Sequence, residues 1–181
     1  MTSEAKRLRM VLKKRRREES RMAIEKVKEY FRQWNLTDKI LEFDVSSATV
    51  ELAASALGCE PERIAKTLSL RSEGGCILVV TAGDAKIDNR KFKERFGLKA
   101  KMLTPEEVVA FVGHAVGGVC PFAVNPEAAV YLDCSLKRFS TVFPACGSSN
   151  SAIELSVAEL ETYSNYIEWV DVCKGWDASG E

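Results

Sequence analysis

Residues 67–81, TLSLRSEGGCILVVT, contain two β-prone runs joined by a short polar link. The first run, 67–71, alternates between polar and apolar side chains, whereas the second, 76–81, is mostly apolar and rich in valine. Gly74 and Gly75 lie between the two runs, and adjacent glycines favour the tight turn of a hairpin. The stretch therefore predicts two antiparallel strands connected by a Gly-Gly turn.

Helices are predicted on either side of this hairpin, because capping residues and prolines mark their ends. Gly58 and Gly97 each follow a helix-prone segment, and Thr104 followed by Pro105 is typical of a helix start. The predicted helices are residues 48–57, 61–66, 88–96, 104–112 and 157–162.

Four further short strands are predicted, at residues 100–103, 129–132, 141–144 and 152–156. Since strands and helices do not alternate as in βαβ units, the pattern favours an α+β fold. We expect a mixed, largely antiparallel central sheet flanked by helices. With 181 residues the chain fits one globular domain, which we place at 37–176, between a helical extension (1–36) and a loose tail (177–181).

Composition excludes several classes of protein. No apolar run approaches the roughly 20 residues that span a bilayer, and the N-terminus is charged where a secretory signal would be apolar. We therefore expect a cytoplasmic protein with no membrane partner. The six cysteines form no CxxC pair, which favours reduced core residues over disulfides. One histidine, no Cys-His cluster and no glycine-rich nucleotide fingerprint predict no metal and no cofactor.

The zero net charge conceals an asymmetry between the N-terminus and the rest of the chain. Residues 1–32 contain twelve Lys or Arg and five Glu, a balance of +7, which leaves −7 for the remaining residues. The basic run consists of Lys13, Lys14, Arg15, Arg16 and Arg17, in a segment of good helix formers. Such a helix either binds RNA phosphates or is a solvated helix that keeps the protein soluble.

Apolar residues in the second half of this basic segment predict that it packs on the body of the protein. They are Met22, Ile24, Val27, Tyr30, Phe31 and Trp34. The first half is expected to stay solvated.

The segment 113–122, GHAVGGVCPF, is predicted to be a loop, because its glycines and proline suit neither helix nor strand. Bare backbone N–H groups at Gly117 and Gly118 can bind a carbonyl or a developing oxyanion. Pro121 would fix the exit of the loop. Adjacent glycines are also typical of a tight turn with packing glycines, and the residues alone leave both interpretations open.

Lys66 is the second candidate, placed by the pattern at the end of helix 61–66 and just before a strand. A lysine there presents a fixed cation to a phosphate or an ester carbonyl, or it complements the helix dipole. His114 could line the loop, but no nucleophile motif accompanies it, so a structural role fits equally well. Nothing near Cys120 or Cys146 suggests a lowered thiol pKa.

Taken in order, four strings resemble the YbaK/EbsC family: ALGCEPERIAKTLSLR, CILVVTAGDAKIDNRKF, GHAVGGVCPF and VYLDCSLKRFSTVFPACGSSNSAIELSVAEL. That family comprises deacylases related to the editing domain inserted in bacterial prolyl-tRNA synthetases, and the similarity covers roughly residues 43–162. In the family a lysine in an IxKTL-type string lies in the active site, and it matches Lys66. A Gly-x-x-x-Pro loop that shapes the substrate pocket is matched by residues 117–121.

The resemblance also implies a set of candidate substrate-binding residues. A late Ala-Gly-type turn matches residues 145–147, with Asp133 in the string before it. The full set is Gly117, Gly118, Val119, Cys120, Pro121, Phe122, His114, Asp133 and Gly147, with Lys66 as the catalytic residue.

The activity that the resemblance implies is hydrolysis of the ester between a wrongly attached small amino acid, such as Ala or Cys, and its tRNA, tRNA(Pro) foremost. It implies no metal and a largely substrate-assisted reaction. Aminoacyl-tRNA is then the partner, an aminoacyl-tRNA synthetase is a second one to consider, and DNA is not expected.

Two departures from the family pattern leave other functions open. The turn after Gly147 reads SSNSAIEL, where relatives often carry basic residues. The basic extension is not part of the pattern, and it either adds RNA affinity or binds a partner such as a synthetase. One alternative is a non-catalytic adaptor of the same fold. Another is an RNA-binding basic helix for which the globular part is only a scaffold.

Overall fold

The computed structural model describes residues 3–176, and the tail predicted to be loose at 177–181 lies outside them. Three 3-10 turns connect regular elements in this range, at Thr37–Lys39, Pro61–Arg63 and Cys134–Arg138. The α-helices are α1 (Ser3–Arg32), α2 (Val50–Leu57), α3 (Asn89–Phe96), α4 (Pro105–Val112) and α5 (Val157–Ser164). Within residues 3–176 no helix is long and apolar enough to cross a membrane.

The helix ends confirm the three capping residues read from the sequence, Gly58, Gly97 and Thr104. The hydroxyl of Thr49 accepts the N–H of the third residue of α2, and the helix ends at Gly58 in the left-handed conformation. Thr104 and Glu107 form a capping box at the start of α4, which ends at left-handed Gly113.

The strands are β1 (Leu41–Glu42), β2 (Ile64–Ser72), β3 (Gly75–Thr81), β4 (Lys86–Ile87), β5 (Ala128–Asp133), β6 (Thr141–Pro144), β7 (Ser151–Ala152), β8 (Leu155–Ser156), β9 (Trp169–Val170) and β10 (Cys173–Lys174). Six of them form the central sheet in the order β8-β6-β2-β3-β5-β9. β1 pairs with β7 and β4 with β10 in two small antiparallel ladders.

The predicted hairpin is confirmed as β2 and β3, which pair antiparallel from Lys66 opposite Thr81 to Ser72 opposite Gly75. Its turn is made by Glu73 and Gly74, so the predicted Gly-Gly turn is displaced by one residue. The α+β class and the mixed sheet are also confirmed. Antiparallel pairing does not dominate, however, because β2–β6, β3–β5 and β5–β9 are all parallel.

Three local predictions were wrong. Pro61 opens a 3-10 turn that ends at Arg63, and β2 starts at Ile64, so there is no helix at 61–66. Pairing of Ile64 and the following residue with β6 outweighs the helix signal of the proline. Residues 100–103 contribute only an isolated bridge from Met102 to Leu70, and 152–156 is divided between β7 and β8.

The second half of α1 belongs to the main core, as its apolar residues predicted. Val27 and Phe31 are fully buried, and the ring centroids of Phe31 and Phe122 are 4.7 Å apart. Met22 is the exception, because 67% of its surface is exposed. The first half of α1 is exposed over residues 6–18, which confirms that it is solvated. The boundary at residue 36 stays a prediction.

The cysteines are all free, as expected from their spacing. Cys76, Cys120, Cys146 and Cys173 are buried, and Cys59 and Cys134 are partly buried.

Candidate active site

Lys66 lies within β2, opposite Thr81, and not at a helix end as the sequence pattern suggested. Its ammonium group donates to the carbonyl oxygens of Gly83 and Ala85, with Nζ–O distances of 2.9 and 2.5 Å. Burial lowers the pKa of Lys66 below its ordinary value of 10.5. An ammonium has three N–H donors, so one of them remains available to a ligand. The Lys66 side chain is half-buried, so a ligand can reach it.

Lys66 and the glycine loop adjoin the same end of α2. A Cβ atom built on Gly83, whose carbonyl accepts from Lys66, would lie 2.8 Å from Cγ1 of Val50. A Cβ atom built on Gly117 would lie 3.3 Å from Cβ of Ala48. Since Ala48 and Val50 are two residues apart, the start of α2 joins the lysine to the loop.

Gly118 and Gly147 are needed for close packing. A Cβ atom on Gly118 would lie 2.5 Å from the Ser148 nitrogen and 2.6 Å from the Gly147 carbonyl carbon. A Cβ atom on Gly147, which has φ +86°, would lie 2.7 Å from the carbonyl oxygen of Ala23 in α1. The loop, the turn at 147–148 and α1 therefore form three backbone layers in contact.

The two loop glycines differ in what their N–H groups can do. The Gly118 N–H donates to the Ala115 carbonyl at 3.1 Å and is not available to a ligand. The Gly117 N–H has no partner among the described residues, and Gly117 adopts φ +93°, which favours glycine. The sequence-based pairing of both N–H groups is thus corrected to Gly117 alone.

His114 closes the loop from inside. It is 1% exposed, and its Nδ1 accepts the N–H of Cys120 at 3.3 Å. Burial, with a smaller contribution from the Lys26 ammonium and an opposing one from the Phe122 carbonyl, lowers the pKa of His114 from 6.5 to about 4. A neutral imidazole is therefore the form that fits this position, and it fastens the loop instead of facing a ligand.

The remaining loop residues form its packed underside. Cys120, Pro121 and Phe122 are buried, and Val119 is partly buried. Burial raises the pKa of the Cys120 thiol to about 12, although its Sγ lies 3.7 Å from Nδ1 of His114. The pair is consequently not a thiolate–imidazolium nucleophile.

Asp133 lies in the interior of the fold. It is fully buried, and its two oxygens each accept a backbone N–H at 3.0 Å, from Ser135 and Val172. The carboxylate therefore ties the end of β5 to the chain before β10. Direct substrate contact, as implied by the resemblance, does not fit this geometry.

The basic run on α1 is divided between two faces of the helix. Lys13, Arg16 and Arg17 line a cavity of about 640 Å³ between α1 and the turn at 148–150, whereas Lys14 and Arg15 do not. Lys66 is not part of this cavity.

Sequence reasoning missed the partners of Lys66 and the walls of the loop. Gly83 and Ala85, which bind the lysine, stand in the TAGDA string, and a Cβ on Gly83 would lie 1.9 Å from the Pro61 oxygen. A glycine two residues after the end of a buried strand was an available signal of this close approach. Ala48 and Ser148 carry no such signal, because only the fold brings them to the loop.

Comparison with known proteins places the chain in a family. Residues 45–163 match the family described as an aminoacyl-tRNA editing domain. The "Uncharacterized protein YwhH" of Bacillus subtilis is 55% identical over 157 residues, which cover 86% of this chain and all of that protein. The "Putative Cys-tRNA(Pro)/Cys-tRNA(Cys) deacylase EbsC" of Enterococcus faecalis is 27% identical over 119 residues, covering 65% and 73% of the two chains.

A solved structure supports the same assignment. The crystal structure of "a putative trans-editing enzyme for prolyl tRNA synthetase" superposes with a TM-score of 0.75 at 28% identity, over 84% of this chain and 98% of the other. The matched region contains Lys66, Gly117 and the loop around it. The chain therefore belongs to the aminoacyl-tRNA editing domain family, in the YbaK/EbsC group that its motifs resemble.

Proposed function

We propose that the chain is a trans-editing hydrolase that removes a small amino acid, Ala or Cys, from mischarged tRNA(Pro). The observation that carries the proposal is the arrangement of Lys66 and Gly117 at one end of α2, in a chain of the editing family. Each supplies one N–H donor without a partner among the described residues.

The chemistry assigns one role to each donor. The Lys66 ammonium binds the ester carbonyl or the adjacent phosphate, and the Gly117 N–H stabilises the oxyanion as water adds to the carbonyl carbon. The bond from that carbon to the ribose oxygen then breaks, which releases the free amino acid and intact tRNA. The buried, high-pKa Cys120 and the neutral His114 supply no nucleophile, which agrees with a reaction assisted by the substrate's own hydroxyl groups.

The substrate class rests on the relatives. EbsC is named for Cys-tRNA(Pro) and Cys-tRNA(Cys), and the superposed structure is named for prolyl-tRNA synthetase. A synthetic site distinguishes amino acids differing by one methylene by only about 1–3 kcal/mol, so hydrolysis of the errors is needed. We further propose that the reaction needs no metal and takes place in the cytoplasm, where tRNA is charged.

The test is hydrolysis of Ala-, Cys- and Ser-tRNA(Pro), with and without EDTA, by the intact chain and two variants. Lys66→Ala should lose activity on the species that the intact chain hydrolyses. Lys101→Ala is the control, because it also removes one lysine charge, at an exposed position. This variant should retain the activity. Binding of tRNA without hydrolysis of any species would favour the adaptor instead.

A further inference from the structure

The cavity beside α1 is a feature of the surface that the proposed chemistry does not use. Its volume of about 640 Å³ is in the range that accepts a ligand the size of a nucleotide. It is lined by Lys13, Arg16, Arg17, Glu19, Ser20, Arg21 and Ile24 of α1, by Glu42, by Pro105 and Val109 of α4, and by Ala115, Val116, Ser148, Ser149 and Asn150.

The positive charges of this cavity are not neutralised. Among the described residues, none of its four cations, Lys13, Arg16, Arg17 and Arg21, has an ion-pair partner. The two carboxylates in the lining are compensated by residues outside it. Glu19 accepts from Arg15 at 2.9 Å, and Glu42 pairs with Lys28 at 2.6 Å.

The wall opposite α1 has a polar part, the turn at 148–150, and an apolar part. The apolar part is formed by Val109, Ala115 and Val116, which line the same cavity as the cations, and 60% of the surface of Val116 is exposed. A cavity with both cations and an apolar part suits a ligand with both an anion and a planar ring, such as a nucleotide of a single strand. An acidic protein surface would match the cations but leave the apolar part without a partner.

The cavity adjoins the glycine loop of the candidate active site. Ala115 and Val116 immediately precede Gly117, and Cβ of Ser149 would lie 3.2 Å from a Cβ on Gly117. Ser148 packs against the backbone of Gly118. An RNA strand whose terminal ester reaches Gly117 therefore passes this cavity, because the residues that line it are within a few positions of Gly117 in the protein chain.

We propose that the cavity between α1 and residues 148–150 binds backbone phosphates of the single-stranded 3′ end of the tRNA, next to the aminoacylated nucleotide. The inference rests on the proposed function. Guanidinium groups suit this role because their planar forks match phosphate oxygens. The site uses Arg16 and Arg17 but not Arg7 and Lys14 of the same helix, which therefore serve as a control.

The test compares two double variants that remove the same charge from the same helix. Arg16→Gln with Arg17→Gln alters the cavity, and Arg7→Gln with Lys14→Gln removes two exposed charges of α1 outside it. Binding of uncharged tRNA(Pro) and of a short RNA ending in CCA is measured from 50 to 300 mM salt. Gln is a good helix former, and circular dichroism checks that α1 is kept.

The cavity pair should weaken both RNAs by about tenfold or more and reduce the slope of log K against log salt by about 1.4. The control pair should weaken them by about twofold or less. Equal losses from both pairs, or none from either, would overturn the inference. So would unchanged RNA affinity together with lost binding to purified prolyl-tRNA synthetase, because an acidic protein surface would then be the occupant.

Hydrolysis by the intact chain separates this inference from the proposed function. Binding is measured on uncharged RNA, so it does not depend on catalysis. Selective loss of RNA binding in a chain that hydrolyses no mischarged tRNA supports the cavity and removes the editing activity. Equal losses in a chain that hydrolyses Ala- or Cys-tRNA(Pro) remove the cavity and leave the activity.

Discussion

Gly118 packs directly on Ser148, so closely that a Cβ atom at position 118 would lie 2.5 Å from the Ser148 backbone nitrogen. Both contacting groups are backbone, so neither can rotate away. Gly118→Ala should therefore push the loop off the turn, with a loss of about 1–3 kcal/mol in the free energy of unfolding. Because Gly117 moves with the loop, deacylation should fall by about a hundredfold, a rate loss typical of a displacement of about 1 Å.

Gly74→Ala is the matched control for this loss. Gly74 has φ +75° in the β2–β3 turn, and a Cβ there would meet nothing within 4 Å. The variant should lose about 1–2 kcal/mol from backbone strain alone, with kcat/KM unchanged. Chemical denaturation and single-turnover deacylation measure both quantities. Parallel losses of activity in the two variants would show that lowered stability explains Gly118→Ala.

Lys66 should set an alkaline limit on activity. Burial lowers the pKa of its ammonium, so the cation is lost at a lower pH than that of an ordinary lysine with pKa 10.5. If the cation binds the substrate, deacylation falls as pH rises through this lowered pKa. The measurement is the enzymatic rate between pH 7 and 10, after subtraction of spontaneous ester hydrolysis at each pH.

A charge-removing neighbour tests whether Lys66 is the group that titrates. Lys86 lies in β4 and is exposed, and its positive charge contributes to the lowered pKa of Lys66. Lys86→Gln should therefore move the alkaline limb to higher pH while leaving the rate at pH 7 unchanged. An unmoved limb would assign the pH dependence to another group.

Replacement of Asp133 distinguishes a structural role of this carboxylate from a contact with the substrate. Its carboxylate accepts two backbone N–H groups, and the Cys173 thiol, whose pKa is raised first by burial, also bonds to it. Asp133→Asn keeps one acceptor oxygen but turns an NH₂ group toward the other N–H. The expected loss is roughly 2–3 kcal/mol in the free energy of unfolding, with KM unchanged.

Asp171→Asn provides the comparison, since Asp171 is exposed and its pair with Lys91 lies at the surface. That variant should change stability by no more than about 1 kcal/mol. A raised KM in Asp133→Asn with stability intact would restore the substrate-binding role.

The sequence predicted the parts of the fold that depend on neighbouring residues. Gly58 after α2, Gly97 after α3 and Thr104 before α4 mark helix ends through contacts within a few positions, and all three were confirmed. The helix predicted from Pro61 was wrong, because the local preference of proline for a helix start is outweighed by the pairing of Ile64 with β6. That strand is almost 80 residues away in the sequence.

In the candidate site too, the sequence predicted what depends on local motifs and missed what depends on contacts between distant residues. Lys66 and the 113–122 loop were found from their motifs, but the use of each donor was not. The Gly118 N–H donates to the Ala115 carbonyl, and the Asp133 oxygens accept the N–H groups of Ser135 and Val172. Only the folded chain shows these contacts. The orientation of Arg16 and Arg17 toward a cavity depends on how α1 docks, which a run of charges does not encode.

His114 makes the stability of the loop depend on pH in a direction that can be derived. Its pKa is about 4 in the folded chain and near 6.5 when unfolded, so the unfolded chain binds the extra proton first. Stability from this group is complete above pH 6.5 and is lost as pH falls from 6.5 toward 4, by about 3 kcal/mol. Protonation also turns Nδ1 into a donor, so it can no longer accept the Cys120 N–H, and the loop should open as the pH approaches 4.

The measurement is direct because His114 is the one histidine in the chain. Its imidazole signal in NMR should titrate near pH 4 in the folded protein. The free energy of unfolding should fall between pH 6.5 and 4 more steeply than in His114→Gln, whose amide oxygen can still accept from Cys120. A midpoint near 6.5, or identical pH profiles for the two proteins, would mean that the imidazole is solvated and does not fasten the loop.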